Sequence, residues 1–312
     1  MKNSSRIKKI LLAAAVLLLS AILVFLVIFF WHLPGHISEK RSIKIADNGS
    51  EIRVMSCNLR CLTPLDLGEK SWFNRSSLIL EDIAAAAPDI VGFQEATKWQ
   101  YGYMEDCLEG YDSVITYRDK SLLSEGCPIF YRSELYELVD KGSFWLSETP
   151  EKMSKDWGAA CYRICSYVIL AEKLSGERFV IFNTHLDHVS DEARIKGINV
   201  VLDKIAEFGG YPSVIMGDFN AEEGSETYKA ATENFLDAAC SLPEEDRRGT
   251  FQRWGEIEGG RRIDYFMISK TGFEIADYDV LSVNHGGVYA SDHCPIVLEL
   301  KLAQQDKKVK ER

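Results

Sequence analysis

Five short polar clusters in this chain each set a residue able to bind a metal or move a proton beside an apolar run. Asp89-Ile90-Val91-Gly92-Phe93-Gln94-Glu95 ends on a carboxylate, and Asn183-Thr184-His185-Leu186-Asp187-His188 carries two imidazoles. In Met216-Gly217-Asp218-Phe219-Asn220 the Asp and Asn are two apart, so in extended chain both point the same way. Arg261-Arg262-Ile263-Asp264-Tyr265 opens an apolar run, and Ser291-Asp292-His293 precedes another. A hard cation such as Mg²⁺ takes one or two carboxylates and leaves its other positions to water and substrate oxygens. An Asp can activate water, an Asn can hold that water without adding charge, and a protonated His stabilises negative charge on phosphate. Any one cluster reads equally well as ordinary strand-end polarity. Five together, with His185 and His293 among only six histidines, do not read as coincidence.

Such groups need a scaffold that gathers them. Residues 52–58, 128–132, 143–146, 167–173, 178–184, 213–216, 263–269 and 295–302 read as strands, and Ser175-Gly176-Glu177 reads as a hairpin-type turn. Residues 75–87 have helical composition and are stopped by Pro88. Ser190 caps a helix running to Phe208, with Asp191 and Glu192 in its first turn and Ile195, Ile198, Leu202 and Ile205 on one face. Mixed elements without strict βαβ alternation predict an α+β fold or a sandwich with outer helices. Asn58, Glu95, His185, Asp218, Asn220 and Asp264 all fall at or just beyond the edge of an apolar β-type run, where a rigid sheet presents a cleft.

Composition bounds the setting. Residues 10–31 carry no charge, and as a helix they would extend roughly 33 Å, enough to cross a bilayer core. Arg6, Lys8 and Lys9 precede the run with no acidic residue, which predicts a cytoplasmic segment 1–9, a transmembrane anchor 10–31 and an extracytoplasmic remainder. A cleaved signal peptide is the competing reading, but the run is long and ends in Phe29-Phe30-Trp31 rather than in small residues. Residues 32–50 read as a linker, 51–302 as one catalytic domain and 303–312 as a polar tail. Of the 36 basic residues four lie before residue 32, so 32 remain against 47 acidic ones, a net charge of −15. Such a domain repels long polyanions, which argues against tight non-specific nucleic-acid binding. The eight cysteines lack a disulfide-scaffold density or a complete zinc set, and buried free thiols are the expectation.

Taken in order, Ser56-Cys57-Asn58, Gln94-Glu95, Thr184-His185, Gly217-Asp218-Phe219-Asn220, Arg262-Ile263-Asp264-Tyr265 and Ser291-Asp292-His293 resemble the endonuclease/exonuclease/phosphatase superfamily, the group similar to deoxyribonuclease I. The ordered set spans about 51–302 and is specific where its parts are not. The resemblance implies an α/β fold, a four-layer α/β/β/α sandwich with its active site at one edge. It also implies roles. Glu95 would bind Mg²⁺ (or Mn²⁺) with Asn58 and Asp292 close to the metal. Asp218 would activate water, and Asn220 would hold it or the phosphate. His185 and His293 would contact the phosphate, with Asp264 orienting His293. Some nuclease members carry an acidic ligand where this chain has Arg60, so either the metal has one protein ligand fewer or Arg60 contacts substrate. The segments from Phe144 to Pro150 and from Trp157 to Arg163 resemble a bacterial subgroup, in which Arg163 would lie near the cleft, with a purely structural arginine the alternative; Tyr131 is a further candidate there, with a core position the alternative.

These readings converge on a metal-dependent phosphodiesterase or phosphatase displayed outside the membrane, acting on a lipid headgroup or small metabolite, with no obligate protein partner. An extracellular endo- or exonuclease is the alternative. A non-catalytic ligand-binding member is disfavoured because Asp218, His185 and His293 are all present.

Overall fold

The computed structural model describes residues 2–31, 42–45, 49 and 51–303. With elements numbered along the chain, one six-stranded sheet has the order β15 (Phe273–Val280), β16 (Ile296–Leu302), β2 (Ile52–Asn58), β3 (Ile90–Gln94), β8 (Ile129–Arg132), β6 (Tyr111–Val114). The other has the order β13 (Phe235–Asp237), β14 (Asp264–Ser269), β12 (Ser213–Asp218), β11 (Arg178–His185), β10 (Ile164–Glu172), β9 (Tyr136–Trp145). Two short ladders join β1 (Ile43–Lys44) to β5 (Leu108–Glu109) and β4 (Ala96–Thr97) to β7 (Glu125–Gly126). The helices are α1 (Lys2–Trp31), α2 (Trp72–Ala86), α3 (Lys98–Cys107), α4 (Asp191–Glu207) and α5 (Glu226–Asn234).

Alternation along the strands builds the layers. In β2, Ile52 and Val54 face the other sheet and pack in one core with Ile181, Val214 and Phe266. Met55 and Cys57 point the other way and pack with Ile79 and Ile83 of α2 and Met104 of α3. In β12, Val214 and Met216 face inwards, while Ile215 packs with Ile198 and Val201 of α4 and Ala231 of α5. Two sheets therefore pack face to face with helices on both outer sides, the arrangement that the family resemblance implies. Gly92 marks how close the sheets come: a Cβ there would lie 2.2 Å from Met216 Cε and 2.9 Å from Asn183 Cγ.

Several sequence expectations shift. Residues 32–50 are not linker throughout, because Ile43 and Lys44 pair in parallel with Leu108 and Glu109, and Ile45 is buried in the core beneath α2 and α3. Residues 32–41 and 304–312 lie outside the described residues. The helix capped by Ser190 is present, with Ser190 Oγ accepting from Ala193 N–H at 3.2 Å. Helices α3 and α5 and strand β15 were not foreseen. α1 is the one helix among the described residues long and apolar enough to cross a membrane, over Ser5–Val27, and no side chain in that span is buried.

Candidate active site

Strand polarity gathers the polar clusters at one edge. β2 and β3 are parallel, as are β11 and β12, so Asn58, Gln94, His185 and Asp218 are four strand ends on the same side. β14 and β16 run antiparallel to their neighbours β12 and β2, so Asp264 and the Asp292-His293 pair enter from that side. His185 is registered opposite Asp218, and Asp218 opposite Asp264. Gly217 is needed for this register: its φ is +137°, and a Cβ would sit 1.9 Å from Thr184 O. Beneath the site a buried polar seam ties the sheets. Gln94 Nε2 donates to Ser56 Oγ (3.0 Å) and Asn183 Oδ1 (2.7 Å), and Asn183 Nδ2 donates to the carbonyls of Phe93 and Pro128, both at 2.8 Å.

At the mouth of the seam, Asn58 bridges the two sheets. Its Nδ2 donates to Glu95 Oε1 (3.2 Å) and to Asp218 Oδ2 (3.1 Å), while its Oδ1 accepts from Arg60 N–H (2.8 Å). Glu95 Oε2 accepts from Cys61 N–H at 2.7 Å. Burial alone would raise the Glu95 carboxyl, but the Cys61 N–H, His293, Arg60 and Asn58 together hold it below its ordinary value, so it is an anion. Arg60, Glu95 and Asn220 all adopt left-handed φ (52°, 58° and 49°). For Arg and Glu this is strained backbone, sustained by the bonds just named.

Around Asp218 lies a hydrogen-bonded relay. Asn220 N–H donates to Asp218 Oδ1 (2.8 Å), and Asn220 Nδ2 reaches both His185 Nε2 (2.9 Å) and Leu186 O (3.1 Å). Because Leu186 O can only accept, the amide nitrogen faces the imidazole and His185 presents an unprotonated Nε2. Burial, then Arg163 and Arg118, push His185 far below its usual range, so it is neutral. His293 is the opposite case. Burial disfavours its charge, but Asp264, hydrogen-bonded to Nδ1 at 2.9 Å, and Asp218 hold it up at about 10. Asp264 is itself fixed by Thr250 Oγ1 at 2.6 Å. Burial first, then Asp264, lift Asp218 to about 7 against the pull of His293.

Asp218, Asp264 and His293 offer ligand atoms all within 4.8 Å of one another, a cluster able to hold a divalent metal and the one such group of His, Cys, Asp and Glu among the described residues. The sequence-expected metal set of Asn58, Glu95 and Asp292 is a different, adjoining one. The wider patch fits a hard cation: half-buried Glu95 and buried Asp218, Asp264 and Asp292 bring carboxylate oxygens together, and the Asn58 amide, which turns its Nδ2 to Glu95 and Asp218 and its Oδ1 to Arg60 N–H, would offer its oxygen only on turning over. Burial raises the Asp292 carboxyl, which a divalent charge would relieve.

Tyr131 does not belong here. It pairs with Ile90 at the opposite end of β3 from Glu95 and packs in the inter-sheet core, where period-two alternation puts it on the same face as Ile129. Arg60 flanks the site: it binds Asp66 through Nε (2.9 Å) and Nη2 (3.2 Å), with Nε 4.0 Å from Asp292 Oδ2. Arg163 is buried, lines a narrow cavity with Glu95, His185, Arg118 and Glu125, and contacts His188 Nδ1 at 2.9 Å. Sequence reasoning missed Thr250, which no motif marks, and Arg75. Buried within α2, Arg75 donates to the carbonyls of Leu59 (2.6 Å), Arg60 (2.7 Å), Ala290 (2.9 Å) and Lys70 (3.0 Å).

A profile for the Endonuclease/Exonuclease/phosphatase family matches residues 55–293. Among solved structures, an endonuclease/exonuclease/phosphatase from Bacteroides vulgatus superposes with a TM-score of 0.75 at 29% identity, covering 81% of this chain and 99% of that one. A mannosyl-6-phosphatase from Bacteroides thetaiotaomicron superposes at 0.71 with 32% identity, over 80% and 99%. Among curated proteins, nocturnin of Homo sapiens is 25% identical over 263 residues, 75% of this chain and 59% of nocturnin. The chain spans about three-fifths or less of the length of the curated relatives it matches.

Proposed function

Because this chain belongs to the endonuclease/exonuclease/phosphatase family and is thereby a metal-dependent phosphoesterase, we propose that it hydrolyses the phosphate ester of a small polar group, free or as a lipid headgroup, while held at a membrane by α1. The observation that carries the reading is the relay Asn220–Asp218–His293–Asp264–Thr250, buried beside an ionised Glu95.

Glu95, with Asn58 and Asp292, would hold Mg²⁺ or Mn²⁺. Bound there, the cation supplies Lewis acidity to a phosphoryl oxygen. Asp218 takes a proton from the attacking water; a carboxyl lifted to about 7 is a far stronger base than an ordinary one. The Asn220 N–H fixes Asp218 Oδ1 and the Asn58 amide holds Oδ2, so the carboxylate is oriented at both oxygens. The water oxygen bonds to phosphorus as the ester oxygen departs with the bond's electrons. His293, kept cationic by Asp264, faces that change with positive charge 3.7 Å from Asp218 Oδ2. Neutral His185, whose Nε2 lies 3.4 Å from Asp218 Oδ2, and the Asn220 amide offer polar contacts without adding charge.

Two features favour a small group over a polynucleotide. The chain beyond residue 31 carries a net charge of −15, with 32 basic against 47 acidic residues, and the mannosyl-6-phosphatase is similar over nearly its whole length. The basic residues before α1's apolar stretch favour a cytoplasmic N-terminus and an extracytoplasmic catalytic domain. The test uses the full chain in nanodiscs with Mg²⁺ or Mn²⁺. Phosphate or alcohol release is measured from hexose 6-phosphates, inositol phosphates, sphingomyelin, DNA and RNA, with Glu95→Gln as the control. The reading expects a small ester to be turned over, and about a thousandfold loss in the variant, the scale on which losing a key electrostatic group acts. Faster cleavage of nucleic acid would transfer the protein to the nuclease reading. Equal rates in the variant would remove Glu95 from the metal site.

A further inference from the structure

The mouth of the site has an apolar rim on one side. Three exposed tips branch from backbone close to Glu95. The first is the loop bearing Leu65 and Leu67. It is tied in by Cys61 N–H to Glu95 Oε2 (2.7 Å), by Leu62 N–H to Gln100 Oε1 (2.9 Å) and by Gln100 Nε2 to Arg60 O (2.8 Å). The second is the first turn of α3, where Lys98 and Trp99 are exposed while Gln100 is buried. The third is the loop Lys120-Ser121-Leu122-Leu123. It springs from the ladder that pairs Thr97 with Glu125 and is closed by Asp119 N–H to Ser124 Oγ (3.0 Å). Leu65 is 85% exposed, Trp99 67% and Leu122 88%, although each sits on well-bonded backbone. Single exposed apolar residues are ordinary, as Leu174 is at the far end of the second sheet, but five on three adjoining tips beside a catalytic cleft are not.

We propose that this rim docks on the bilayer that holds α1, so that the ester hydrolysed is a headgroup phosphate presented at that surface. The inference rests on the anchored-phosphoesterase reading above and adds the substrate's location to it. Two observations select a bilayer as the occupant. The tips combine Leu with Trp and Lys, the mixture that enters an interface with its apolar part down and its charge among headgroups. The tether is also short. Only residues 32–41 separate Trp31 from Ser42, which bonds to Glu109 at 3.2 Å beside the C-terminus of α3. Ten residues reach at most about 36 Å, and α3, ten residues long, spans about 15 Å from that attachment to Trp99. The rim is therefore within reach of the membrane.

The test uses the full chain in phosphatidylcholine nanodiscs made with or without brominated acyl chains. The emission difference between wild type and Trp99→Phe isolates Trp99, and docking predicts that bromine removes at least half of it. In the same nanodiscs, Leu122→Asp/Leu123→Asp should slow release of phosphate or headgroup from embedded phosphatidic acid, sphingomyelin or phosphatidylinositol phosphate about tenfold or more. The rate on soluble p-nitrophenyl phosphate and its bis ester should stay within about twofold. An unquenched Trp99 overturns the docking, as does a self-association that the double variant abolishes. Hydrolysis of the soluble esters with none of the three lipids turned over overturns the headgroup assignment and leaves the phosphoesterase standing. A quenched Trp99 with no ester hydrolysed sinks the enzymatic reading alone.

Discussion

Replacing Arg75 by Met separates stability from positioning. The guanidinium is fully buried and donates to four carbonyl oxygens, those of Leu59, Arg60, Lys70 and Ala290, and it stacks near Trp72 and Trp254 at 5.2 and 5.4 Å. Hydrogen bonds from a charged donor are worth about 1.5–3 kcal/mol each, so the four would make the loss roughly 6 kcal/mol or more. Against this, burial drags the guanidinium down to about 10, a penalty on its charged form of roughly 3 kcal/mol that Met does not incur. The offset is partial, so Arg75→Met should lower unfolding free energy by roughly 3 kcal/mol or more in urea titrations. Activity should fall in the molecules that remain folded. The carbonyls that Arg75 clamps belong to the turn holding Arg60 next to Asn58, and to Ala290, two residues before Asp292. Freeing both strands of backbone by about 1 Å costs on the order of a hundredfold in kcat. The measurement pairs urea midpoints with kcat/KM on a soluble ester at a temperature where both proteins are folded. Unchanged kcat/KM in a folded variant refutes the positioning role. A stability loss below about 1 kcal/mol refutes the worth assigned to the four bonds.

Three further outcomes follow from the same geometry. Rate should rise with pH through about 7 as Asp218 loses its proton and fall through about 10 as His293 loses its own; since Asp264 raises both groups, Asp264→Asn should move both limbs of the kcat/KM profile to lower pH, and a limb moving upward contradicts the assignment. Gly217→Ala should destabilise by more than ~2 kcal/mol, or prevent folding, because its Cβ would meet Thr184 O at 1.9 Å at a φ of +137°; a chemical-denaturation midpoint equal to wild type would refute the close approach. Under native conditions a maleimide should label exposed Cys240 first, with Cys57, Cys107, Cys127, Cys165 and Cys294 protected until unfolding; a melting temperature that drops on adding reductant would show disulfides instead.

The parts of the site legible in the sequence were those carried by a strand end. Asn58, His185 and Asp218 each close an apolar run, and the run itself announces a strand whose last residue must emerge at an edge. Other parts had no such carrier. Thr250 lies in irregular chain and reaches Asp264 only through tertiary folding. Arg75 reads as one more polar residue at the start of a helix, because nothing local says that this face of α2 turns towards the Leu59 and Ala290 backbone. Tyr131 is open between cleft and core in the sequence for a related reason: alternation places it opposite Phe130 but cannot say which end of β8 carries the site, and the structure takes the core position. β15 was overlooked because it is an edge strand whose Phe-Glu-Ile-Ala-Asp-Tyr-Asp-Val sequence spreads too little apolar character to stand out.

The site's position on the seam between the sheets accounts for the form of its signature. Neither sheet holds a complete constellation: Asn58, Glu95, Asp292 and His293 come from or beside the first, and His185, Asp218, Asn220 and Asp264 from the second. Asn58 is the join, bonded to Glu95 on its own sheet and to Asp218 on the other. The metal-side carboxylate and the base therefore keep their relative placement only while the sheets keep theirs. That placement is set by the Gln94–Ser56–Asn183 bonds directly beneath and by Gly92 against Met216. A polar residue inside an apolar strand is costly unless satisfied, and here Asn183 is satisfied by the opposite sheet, giving to the Phe93 and Pro128 carbonyls and taking from Gln94 Nε2, which also gives to Ser56 in its own sheet. The polar breaks in these strands are thus part of the site: they fix the register of the two sheets, and each sheet then needs to contribute only one or two residues per strand end. This is why the motifs are short and unspecific singly and diagnostic only as an ordered set.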